Sequence, residues 1–436
     1  MPRLSFDIDW VDAEGINGPE LSATWASLQI HAGDSVVTRV LDERAKTVRD
    51  FVHVPLYPLA EWLATNWWFL THEYRNPVKE ADPAFRRRHA LRSGREGYAF
   101  PDLEVVSSGA RTLLAWKRNQ SLWGRVEFLD EGQVWTDSNE FRESCSDLVD
   151  RVIRRLASLG VEGTFLEEEW AAIQTGDKDE IEFCETAAGL GWDPYDLDDE
   201  GRENVIWLAE LLDGPVLEEA IAALEPVTLK QSTLTIASAI DHAKSNRLSL
   251  DRLNCVLPQV LLGSDYVGVY PWDAGYDAAR RLRRELDLDG NPLPTDAAIA
   301  EALGEDPESL ARMRQPVVFQ EAPLIDGVIT GGEGDNPAFA FRSLDDYHWR
   351  FHFCRGIAEV LAPPSTDTLL TRAHSERQQR NRAFAAEFLA PSSGLRKKVS
   401  GPVVDAEDID ELAVEFGVSS RVIEHQVVNH GLARVL

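Results

Sequence analysis

The chain has 436 residues, 44% of them hydrophobic and 27% charged, with a formal net charge of −30. That length exceeds one compact core, so several domains are expected. The acidic excess argues against a general nucleic-acid or anionic-membrane binder, because phosphate affinity rests on clustered lysine and arginine.

Four well-separated cysteines (Cys145, Cys184, Cys255, Cys354) show no CxxC or metal-finger spacing and fit free thiols in a reducing cytoplasm. The opening MPRLSFDIDW has no apolar signal region. The nearest approach to a membrane span, residues 56–70, is short and carries Glu61. A cytoplasmic chain without a membrane partner is therefore expected.

In chain order, LSFDIDW (4–10) alternates apolar and polar residues as a strand does. Segments 24–30 and 36–42 do the same, with Gly33-Asp34 as the hairpin turn between them. A tryptophan-rich helix over 56–74 would cover that sheet. Further strands are expected at 103–108, 112–118 and 124–130, then a helix over 141–160. FRRRHALRSGR (85–95) is the main basic run and is expected to face acids of its own chain or a protein. Residues 1–160 thus read as an α+β domain of unknown role.

Residues 163–265 read as a helical middle part, with a glycine stop at Gly191, joints near Pro226 and 262–265, and acids facing water. PWDAGYDAARRLRRELDLDG begins an amphipathic helix near Trp272, and AAIAEALG ends another at Gly304. APLIDGVITGGEGDNPAFAFRS reads as two short strands joined by a glycine-rich loop. That loop lacks the Lys-Ser/Thr of a phosphate cradle. WRFHFCRGIAEVL (349–361) has helical rhythm and stops before Pro363–Pro364. SERQQRNRAFAAEFLAP (375–391) is the next helix. The tail, LAVEFGVSSRVIEHQVV, is two helices around Gly417.

The sequence of an amphipathic PW..GY..AR.LR helix, an IDGV hairpin, an RF-led helix, FAAEFLAP and LA.EFGVS resembles the ImmA/IrrE family of bacterial metallo-endopeptidases. The resemblance covers about the last two fifths of the chain. It implies a zincin-like domain at 266–400 and a packing hairpin at 401–436, which complete an α+β fold whose N-terminal sheet-containing domain and helical middle come from the patterns above. In that family the RF-led helix carries HExxH, in which two histidines one turn apart hold zinc and the glutamate acts as base. Aligning on Arg350–Phe351 puts these roles on Arg355, Gly356 and Glu359, so ligands and base are all replaced. The third ligand, a glutamate on the following helix, falls among Gln378, Gln379 and Arg380, none a carboxylate.

Arg355 and Glu359 stand at i and i+4 and are expected to pair, with His352 one turn earlier on the same side. A degenerate cleft of His352, Arg355, Gly356, Glu359, Gln378, Gln379 and Arg380 follows, with no cofactor and no catalytic residue. The resemblance then implies a non-catalytic cytoplasmic bacterial regulator or accessory protein acting on a protein partner, linked to mobile elements or phage defence. Two alternatives stay open. One is a metallo-endopeptidase with rearranged ligands, for which His348 and His352 (HxxxH) with His374 and Glu376 could supply a mixed set. The other is a DNA-binding regulator whose tail hairpin offers Arg421, His425 and Asn429, few cations for phosphate contact.

Overall fold

The computed structural model describes residues 3–13, 15–94, 97–120, 126–261, 270–317, 319, 321–331, 336–342, 344–362 and 367–436. The joint expected at 262–265, the middle of the glycine-rich loop at 332–335 and the Pro363–Pro364 break lie outside the described residues. The architecture is mixed α+β, with sheets concentrated near the N-terminus and a mainly helical remainder. Backbone contacts divide the chain into two units, 1–205 and 206–436. Helices expected as one middle part fall on both sides of that division: Phe165–Thr175 and Lys178–Leu190 before it, Gly214–Ala223, Leu229–Ala243 and Asp251–Val260 after it. Among the described residues no helix is long and apolar enough to cross a membrane.

In the first unit, strand Leu4–Trp10 runs antiparallel to Trp25–Ala32, in register from Leu4 opposite Ala32 to Trp10 opposite Ala26. A second antiparallel set joins Asp102–Ser107, Arg111–Lys117 and Gly132–Asp137. Asp137 then caps helix Ser138–Ser158, accepting from the Asn139 and Glu140 amides. That helix buries Phe141, Leu148, Val149, Val152 and Leu156, a stripe at helical spacing.

Two expected elements are broken. Segment 36–42 is not one strand but Ser35–Val36 and Val40–Asp42. Between them buried Thr38 accepts from the Ile30 amide and donates to the Asp50 carbonyl, which turns the chain. The 56–74 helix is Tyr57–Thr65 followed by Trp67–His72. Asn66, at φ −105° and ψ 14°, donates its side-chain amide to the Trp62 carbonyl and stops the first helix.

The described part of the basic run is largely helical, and Arg86, Arg88, His89 and Arg92 pair inside their own unit. Arg86 and Arg92 reach Asp102, while Arg88 and His89 reach fully buried Glu73. Arg88 holds Glu73 through two bonds of 2.6 and 2.8 Å, and His89 Nε2 lies 3.0 Å away. Lys79 donates to the Gly189 carbonyl close by. Burial opposes ionisation of Glu73, but hydrogen bonds from His89 and Arg88 prevail and hold its pKa at about 2.

In the second unit, Ile325–Thr330 is the middle strand of an antiparallel sheet, flanked by Ala338–Phe341 and Thr368–Thr371. Helix Asp346–Val360, called the cleft helix below, lies against this sheet. Gly356 is the reason it can come so close: a Cβ there would lie 2.9 Å from the Phe339 ring. Helix Glu376–Leu389 packs on Pro271–Glu285 at Gly275, where a Cβ would fall 2.2 Å from the Arg380 carbonyl oxygen. Phe353, Ile357, Phe384 and Phe388 fill the core between these helices.

The tail hairpin is Ala406–Phe416 and Ser420–Asn429, turning at Gly417 with φ +66°. Arg350, the arginine of the RF pair, donates to the Gly417 carbonyl through Nε and Nη2 at 3.0 and 2.9 Å. Glu387, the glutamate of FAAEFLAP, is buried and accepts from Arg280, Ser392 and Gln426. These two residues tie the tail to the body of the unit.

Candidate functional site

The cleft helix and the helix after it enclose a buried polar centre in the second unit. Four residues outside the sequence expectation organise it: Asp326, Glu219, Thr371 and Ser375. Asp326 interrupts the middle strand. Ile325 pairs with Thr371 and Gly327 with Leu370, so Asp326 is skipped in the pairing with Thr368–Thr371 and forms a bulge, while its carbonyl accepts from the Arg342 amide on the other side. A bulge re-aims a side chain, and here the carboxylate lies against the cleft helix, 2% exposed.

Asp326 accepts from Arg355 Nη1 at 3.3 Å and Arg372 Nε at 3.1 Å, and lies 3.0 Å from His352 Nε2. Burial would raise its pKa, but His352, Arg355 and Arg372 hold the carboxyl far below the usual carboxylate range. His352 Nδ1 donates to the His348 carbonyl at 2.6 Å. Burial pushes the His352 pKa down, against the pull of Asp326.

Arg355 is only 2% exposed. Besides Asp326 it donates through Nη2 to the Thr371 carbonyl at 2.6 Å and to Gln378 Oε1. Gln378 uses its whole amide. Its oxygen also accepts from the Thr371 amide, and its nitrogen donates to Glu219 and to the Leu369 carbonyl. Glu219, from helix Gly214–Ala223, further accepts from Thr371 Oγ1 at 3.0 Å and Ser375 Oγ at 2.6 Å. Burial raises the Glu219 pKa, with these hydroxyl groups working the other way.

Glu359 is 5% exposed and takes a different set of partners. It accepts from Arg377 at 2.7 Å, from Arg380 at 2.9 Å and from Asn381. Burial opposes its ionisation, but the Arg380 and Arg377 guanidinium groups prevail and keep its pKa below the ordinary value.

The expected Arg355–Glu359 pair therefore does not form. Both side chains are buried, and each makes its ion pairs with residues of other elements. The spacing permits the pair, but Asp326 on one side and the arginines of Glu376–Leu389 on the other supply buried contacts in its place. Gly356 faces the sheet, where Phe339 leaves no room for a catalytic carboxylate. Gln379 donates to the His374 carbonyl.

The rearranged metal set does not converge either. His348 is exposed and its Nδ1 lies 2.8 Å from Asp345, beside the helix N-terminus. Both ring nitrogens of His352 are engaged, by the His348 carbonyl and Asp326. His374 is exposed, at the loop before Glu376. Among the described residues no group of three histidine, cysteine, aspartate or glutamate side chains is arranged to hold a metal ion.

On the tail, Arg421 and His425 are exposed, while Asn429 donates to the Tyr276 hydroxyl at 3.1 Å. The neighbouring helix exposes Glu407, Asp408, Asp410 and Glu411. These carboxylates set negative charge beside the two exposed cations.

No family model, curated protein or solved structure matches the chain.

Proposed function

We propose that the second unit is a non-catalytic, zincin-like scaffold of the ImmA/IrrE type that acts by binding a protein partner in the bacterial cytoplasm. Its order of elements supports this reading: a helix with GY, an antiparallel sheet with IDGV, the cleft helix, the FAAEFLAP helix and a tail hairpin. One observation carries the loss of chemistry. Arg355 and Glu359, at the positions the resemblance gives to zinc ligands, are buried and neutralised by groups of the protein itself. A guanidinium held by Asp326 supplies positive charge where an ion would sit, and it cannot polarise a water molecule as zinc does. The role in mobile elements or phage defence follows from the resemblance.

Two measurements on the full chain test the proposal. Capture from the native host should retain a discrete protein partner, and zinc-supplemented protein should show no chelator-sensitive cleavage of that partner. Cleavage that a chelator abolishes, and that a substitution of both His348 and His352 removes, would favour the rearranged peptidase instead.

A further inference from the structure

The first unit carries an arginine-lined groove of its own. On helix Ser138–Ser158, residues Asp147, Arg151, Arg154, Arg155 and Ser158 recur at helical spacing and form one stripe beside the buried one. Strand Leu4–Trp10 alternates, so Leu4, Phe6, Ile8 and Trp10 share a face. Leu4 and Phe6 are buried, and Trp10 at the strand end is half-buried. Between stripe and strand end lies an open groove lined by Trp10, Asp147, Arg151, Arg154, Arg155 and Ser158.

The three guanidinium groups are positioned without being neutralised. Arg151 donates to the Phe6 carbonyl, Arg154 to the Asp150 carbonyl and Arg155 to the Ala23 carbonyl, each at 3.1–3.2 Å. The one carboxylate of the groove, Asp147, is exposed and stands 3.7 Å from Arg151 and 4.0 Å from Arg154. Exposed pairs at such distances are weak and screened by solvent. Among the described residues, no protein group accepts from the other Nη atoms of these arginines. The Arg155 guanidinium also sits 5.4 Å from the centre of the Trp10 ring.

Three cations against one carboxylate, in a chain of net charge −30, mark the groove as an anion site. Arginine forks suit phosphate oxygens, and an indole beside them offers a stacking surface for a planar base. An extended polyanion would meet the acidic remainder of the surface, which favours a small ligand over nucleic acid. We propose that this groove binds a nucleotide, with the phosphates on Arg151 and Arg154 and the base beside Trp10.

Calorimetric titration of the full chain with ADP, adenosine, inorganic phosphate and a single-stranded oligonucleotide tests it. ADP should bind more tightly than phosphate or adenosine, and the oligonucleotide more weakly than ADP. Arg154 is 70% exposed, so Arg154→Gln should fold normally and weaken ADP about tenfold. Trp10→Leu should weaken ADP and leave phosphate unchanged. No ADP binding at millimolar concentration, undiminished ADP affinity in Arg154→Gln, or tighter binding of the oligonucleotide would each overturn the proposal.

Discussion

Replacing Asp326 by alanine should destabilise the second unit by about 3–5 kcal/mol, the range for removing one partner of a buried ion pair. The variant leaves Arg355 buried with only the Thr371 carbonyl and Gln378 as acceptors, and strips Arg372 and His352 of theirs. The Arg355 Nε already has no partner among the described residues, so there is no spare acceptor to take over. Adding Arg355→Met should recover most of the loss, because an apolar chain of similar volume removes the uncompensated charge. Hydrogen exchange resolved along the chain is the suitable readout, since it separates 206–436 from 1–205. A loss below about 1 kcal/mol, in the range of an exposed pair, would show that the centre is solvated and not buried.

Glu73→Gln should destabilise the first unit by a similar amount, about 3–5 kcal/mol, by leaving Arg88 and His89 without their carboxylate. The same residue gives a pH dependence. Its folded pKa is about 2 against an ordinary 4.5. The depressed group thus stabilises the fold fully above pH 4.5 and loses that contribution as pH falls toward 2. A shift of this size corresponds to about 3 kcal/mol. Ten of the thirteen tryptophans lie in residues 1–205, so their fluorescence reports this unit in urea titrations. The wild-type midpoint should fall between pH 5 and pH 3 more steeply than that of Glu73→Gln. Parallel curves would show that Glu73 is not the source of the acid sensitivity.

The helices of the second unit are legible because their signals are local. Apolar spacing gives the cleft helix and Glu376–Leu389, and Gly417 with its positive φ gives the turn of the tail. The broken elements of the first unit failed for equally local reasons that pattern does not expose. Thr38 and Asn66 bind backbone groups in place of continuing a strand or helix.

The buried centre was legible only in part. His352, Arg355, Glu359, Gln378 and Arg380 are all there, but their partners were not readable. Asp326 is placed by a bulge, which a period-two pattern cannot show, although the IDGV segment marks the spot. Glu219 stands more than 150 positions before Thr371, Ser375 and Gln378, and no periodicity links such distant residues. Helical spacing said that Arg355 and Glu359 could meet. Which acceptor each prefers depends on desolvated neighbours from other elements, and those are a property of the folded chain.

The metal content of the full chain, purified without chelator and then equilibrated with zinc and desalted, distinguishes internal ion pairing from metal binding at the cleft helix. With Arg355 and Glu359 committed to internal ion pairs, zinc should remain well below one equivalent per chain, unchanged by substituting His348 and His352. Near-stoichiometric zinc that those two substitutions remove would contradict it and return the cleft helix to metal chemistry.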